Sequence, residues 1–154
     1  MSDWGSFQYS DIAMHYRGFF SYLKKGLSVE EAFGKLYFDS PKVTPKKFED
    51  VKKEILPPII KDELDMLMED VDCQDWEGVE HKAKMIAKLA RAKSIDDILK
   101  AQRALSWDLW GAVSTIARSA FGLEVDDDED AAAACILLTL HYGVKESSFK
   151  GFAT

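Results

Sequence analysis

The chain lacks most of the residue patterns that usually announce a chemistry. It has two cysteines, Cys73 and Cys135, and the second lies inside the apolar run 131–138. A secreted disulfide framework is therefore not expected, and a reduced, cytoplasmic setting is. Three histidines, His15, His81 and His141, are scattered, with no HExxH, no ExxH metal pattern and no HD dipeptide. Without a CxxC, a glycine-rich phosphate loop or a serine elbow, nucleophilic catalysis and nucleotide binding by familiar loops have no support. The longest near-apolar stretch, residues 131–142, is shorter than the about 20 residues a bilayer-spanning helix needs. Residues 1–6 carry no basic region followed by an apolar one, so neither a leader nor a membrane partner is expected. Alternating runs of Val, Ile and Thr that would mark strands are missing too.

What is present reads as a foldable, all-α chain. Hydrophobic residues make up 47% and aromatics 12% of the sequence, Trp4, Trp76, Trp107 and Trp110 among them, which argues against disorder. A chain of 154 residues buries roughly 70% of its unfolded surface, so residues 1–154 are expected to form one domain. Ile12, Tyr16, Phe19, Phe20 and Leu23 form a first helical stripe, closed by Lys24, Lys25 and Gly26. Ser28 and Glu31 then have the spacing of a capping box, with Val29, Ala32, Phe33 and Leu36 facing inward and Tyr37 and Phe38 ending the helix. Thr44 and Pro45 are expected to start a third helix carrying Phe48, Val51 and Ile55, which Pro57 and Pro58 stop or kink.

A fourth helix is expected on Ile60, Leu64, Leu67 and Val71. A fifth should open at Asp75, with Trp76, Val79, Ala83, Ile86 and Ala90 inside. Ser94 and Asp97 repeat the capping spacing, and the pattern that follows runs to Gly122, long enough to predict a break near Ser106 or Gly111. The last helix, about 127 to 142, is apolar all round through 131–138 and should be the buried centre. The expectation is a bundle of about six to seven helices.

Charge is the informative feature. Residues 62–80 contain nine acids and no Lys or Arg, and six of the seven residues 124–130 are acidic. Those blocks hold fifteen of the 27 carboxylates, leaving 12 acids against 20 bases elsewhere, so the net charge of −7 conceals strong segregation. An acidic total disfavours a nucleic-acid partner, because phosphate affinity comes from clustered Lys and Arg. The basic stretch Lys82, Lys84, Lys88, Arg91, Lys93, Lys100 and Arg103 alternates with Ala, Ile and Leu and reads as a solvated helix face.

Asp62, Asp65, Glu69 and Asp72 are three, four and three residues apart, which places them on one helix stripe opposite Leu64, Leu67 and Val71. Like charges at that spacing cost about 0.2–0.5 kcal/mol per pair, so the stripe needs an offset or a use. Trp107 and Trp110 share a face and are either core or anchors for a partner. Asp126, Asp127, Asp128, Glu129 and Asp130 precede the buried helix, where carboxylates meet the positive end of its dipole. A calcium loop beginning at Asp126 fails, since its sixth position is Ala131 and its closing position Leu137. Asp127 with Asp130, or Asp126 with Glu129, are one turn apart and suit Mg2+.

Glu77 and Glu80 are also one turn apart, as in the first acidic pair of all-α nucleotide pyrophosphohydrolases of the MazG and dimeric dUTPase type. The next helix offers only adjacent Asp96 and Asp97, so the second pair is misplaced and membership does not follow. Two functions are compatible with this pattern. The first is a small acidic binding protein of inhibitor, immunity or regulatory type, presenting Asp62, Asp65, Glu69, Asp72, Trp107 and Trp110 to a basic protein partner, with no cofactor or metal and no catalytic residue. The alternative is an Mg2+-dependent enzyme acting on a phosphorylated metabolite or nucleotide. Oligomeric state is not legible.

Overall fold

The computed structural model describes residues 7–36 and 39–153. Among them are seven α-helices and no strand: α1 (Tyr9–Lys24), α2 (Val29–Lys35), α3 (Phe48–Asp72), α4 (Trp76–Ala90), α5 (Ile95–Ala104), α6 (Leu109–Phe121) and α7 (Asp128–Tyr142). A 3-10 turn, Glu146–Phe149, follows. The expected Tyr37 and Phe38 helix end, and Trp4, lie outside the described residues.

The helix that is apolar on every side is the buried one. All eight residues 131–138 are inaccessible, and α7 packs against both α1 and α6. Four consecutive alanines in its first half leave room for close helix approach, and Ile136, Leu137 and Leu138 supply bulk in the second. Gly143 ends it in the left-handed conformation (φ 66°), with its N–H bonded to the Thr139 carbonyl. One apolar cluster gathers residues from all seven helices around this axis.

Local signals that involve only neighbouring residues hold. Ser28 and Glu31 form a reciprocal capping box, Ser94 accepts from the Asp97 N–H at 3.2 Å, and Asp75 from Gly78 at 3.1 Å. The expected break falls at Ser106, whose φ of 67° turns the chain between α5 and α6. Asp108 then caps α6 by accepting from Gly111.

Three expectations are overturned. Thr44 and Pro45 do not begin a helix; α3 starts at Phe48, behind Lys47. Pro57 and Pro58 do not end it either, so the expected third and fourth helices are one helix of 25 residues. The two prolines remove hydrogen bonds to the carbonyls of Lys53 and Glu54, both exposed residues whose freed oxygens water can reach. Val51, Ile55, Leu56 and Ile59 are buried on either side of the pair, so packing carries the helix across.

The third correction concerns orientation. Leu64 is 45% exposed and Trp76 61%, Val29, Ala83 and Ala90 are exposed, and Val79 and Ile86 are only half-buried, although all were expected inside. In α4 only Leu89 is fully buried. The two stripes face each other's flanks and then open to solvent, because no further helix among the described residues covers the outer side of the α3–α4 hairpin.

Candidate functional site

The carboxylate stripe sits where its spacing puts it. Asp62, Asp65, Glu69 and Asp72 are all exposed along one flank of α3. Lys61 approaches Asp65 at 3.9 Å with both side chains in solvent, a contact worth little. No ion pair within the described residues engages Asp62, Glu69 or Asp72.

Most of the remaining acids of the 62–80 block make contacts within the fold. Asp70 holds Lys82 across the hairpin in a largely screened contact, which raises the Lys82 pKa, and Asp75 caps α4. Glu80 meets Lys84 at 3.2 Å. The His81 Nε2 lies 2.8 Å from the Ala104 carbonyl and ties α4 to the end of α5.

Glu63 is the residue that sequence reasoning missed. It lies within the acid-rich run 62–80, yet it is 1% exposed. Its Oε2 accepts from Trp107 Nε1 at 3.3 Å, and its Oε1 has no hydrogen-bond partner among the described residues. Burial raises its pKa, opposed by the Trp107 hydrogen bond and the charge of Lys82. The available signal was its phase, since Glu63 continues the spacing of the buried Leu56 and Ile59 at four and seven residues.

Trp107 and Trp110 are both half-buried with their indole N–H groups satisfied inside the chain, Trp107 by Glu63 and Trp110 by the Val125 carbonyl at 3.0 Å. Trp107 also lines an open pocket of about 330 Å³ between α3 and α6, shared with Glu54, Asp62 and Arg118. The structure thus brings Trp107 beside one end of the carboxylate stripe. Trp110 does not join them there.

The second acidic block is bound up with the start of α7. Asp127 accepts from the Asp130 N–H at 2.8 Å, and Asp130 returns the bond to the Asp126 N–H at 3.1 Å. Each carboxylate satisfies a helix-terminal donor that would otherwise have no partner. Among the described residues no three His, Cys, Asp or Glu side chains gather in a way that could hold a metal ion. Nor is any helix among them long and apolar enough to cross a membrane.

No known protein family, curated protein or solved structure matches this chain.

Proposed function

We propose that this protein is a binding module of inhibitor, immunity or regulatory type, which presents the exposed flank of α3 to a basic protein partner. The supporting observation is the stripe Asp62, Asp65, Glu69 and Asp72, of which three make no ion pair within the described residues. Such a stripe works against its own helix by like-charge repulsion, and a cationic partner would relieve that cost while being steered to it. Neither tryptophan is required to leave its internal hydrogen bond for this role; Trp107 supports the stripe's base through Glu63.

The test compares wild type with the fourfold variant Asp62→Asn, Asp65→Asn, Glu69→Gln and Asp72→Asn in affinity capture from native lysate. The expected result is a basic protein retained by wild type at low salt, released at high salt, and absent from the variant, whose helical circular dichroism is unchanged. Equal capture by the variant would overturn the proposal. Where a partner is retained, its association rate should fall by about 10- to 1,000-fold on neutralising the stripe.

A further inference from the structure

The outer side of the α3–α4 hairpin exposes a run of apolar side chains, and it adjoins the carboxylate stripe. On α3, Ile60, Leu67 and Val71 are half-buried and face α4. Leu64, 45% exposed, and Met68, 55% exposed, come next round the helix toward solvent, and the carboxylates lie beyond them. On α4, Leu89 is buried, Lys82 reaches Asp70 and His81 reaches Ala104, so these three positions define the inner side. The positions opposite are Trp76, Ala83, Ala87 and Ala90, with the Glu80–Lys84 ion pair along their edge, and of the four all but Ala87 are exposed. Large side chains of α3 therefore stand beside small ones of α4, the combination that forms a shallow groove a third helix can approach at the usual 8–10 Å between axes.

We infer that this groove binds an amphipathic helix of a basic partner, apolar side down on Leu64, Met68 and the α4 alanines, with its Lys or Arg edge along Asp65 and Asp72. The inference rests on the proposed binding function and names the form of the partner. Charge complementarity with the carboxylate stripe selects this occupant. A second copy laid α3 on α3 sets one carboxylate stripe against the other, while α3 laid on α4 meets a row in which Glu77 and Glu80 are followed by Lys84 and Lys88, an arrangement that sedimentation tests. A helix of opposite charge meets no like-charge conflict along the stripe, and in helix-in-groove recognition it supplies its own apolar anchors at i, i+3 and i+4 to rest on Leu64 and Met68.

The experiment uses the full chain and a synthetic Leu/Lys peptide of about 18 residues, five turns at 3.6 residues per turn, patterned as an amphipathic helix, beside a scrambled peptide of equal composition. The reporters are methionine methyl resonances. Met68 lies at the groove, Met66 is turned about 160° away toward the carboxylate flank, and Met14 is on α1. The expected result is a shift of Met68 larger than those of Met66 and Met14. Binding should be at least tenfold weaker for the scrambled peptide and for the Leu64→Gln, Met68→Gln double variant. If both peptides bind equally, shift Met66 alone and are lost with the fourfold carboxylate variant, the groove is overturned and the charged flank stands. Failure of both peptides to bind overturns groove and flank together. A wild-type dimer that the double variant dissociates in sedimentation would give the groove to self-association and overturn the inference. The Met68 shift is read on wild type and needs no variant to fold.

Discussion

The two acidic blocks have similar composition and opposite relations to the fold. Residues 124–130 lie at the start of α7, where Asp127 and Asp130 spend their carboxylates on backbone donors and the helix dipole welcomes the rest. Residues 62–80 run along the flank of one helix and round the tip of a hairpin, and there Asp62, Glu69 and Asp72 have no ion pair among the described residues. Local density of charge therefore says little about its use. What matters is whether backbone donors or other charges of the same chain are within reach.

Four substitutions would break or sharpen this contrast. The largest effect is expected in the region behind the second block: Leu138→Ala, at a fully buried position of α7, should cost about 2–5 kcal/mol in urea denaturation. A smaller loss would mean that α7 is not the centre around which the other helices are stabilised.

Glu63→Gln should act in the opposite direction. Burial raises the folded-state pKa of Glu63, so the native state holds the proton more tightly than the unfolded chain. Stability is then greatest below the unfolded carboxyl value and falls as pH rises through the folded one. Glutamine keeps the acceptor for Trp107 without the charge, so the variant should gain about 1–3 kcal/mol at neutral pH and lose the decline expected of wild type above about pH 4.5. Denaturation curves across that range measure both, and a variant less stable than wild type at neutral pH would show that the buried charge is compensated.

The smallest difference separates the blocks directly. Removing the α7 cap in Asp127→Ala should cost about 1 kcal/mol. Glu69→Gln, in the other block, should stay within about 0.5 kcal/mol of wild type. Equal losses would remove the distinction drawn here between carboxylates used by the fold and carboxylates left over.

Much of the architecture was legible before the structure. The caps at Ser28, Asp75 and Ser94, the break at Ser106 and the buried helix after Asp127 each follow from residues a turn or two apart. The carboxylate stripe was legible for the same reason, since helix geometry alone puts its four members on one flank. What was not legible is what lies beside each helix. Leu64 and Trp76 have the phase of core residues and are exposed, and Glu63 belongs to an acid run and is buried.

The sequence by itself determined that this chain is helical, where most helices are capped, and which of them is apolar enough to be central. Those properties depend on hydrogen bonds and periodicity within short stretches of chain. Only the tertiary structure decided that Pro57 and Pro58 lie inside a continuous α3, and that its second half pairs with α4 as an uncovered hairpin. It also decided that one of nine clustered acids turns inward to Trp107. Burial is a property of what the rest of the chain leaves uncovered, and a helix's own pattern states which side is apolar without stating whether anything will cover it.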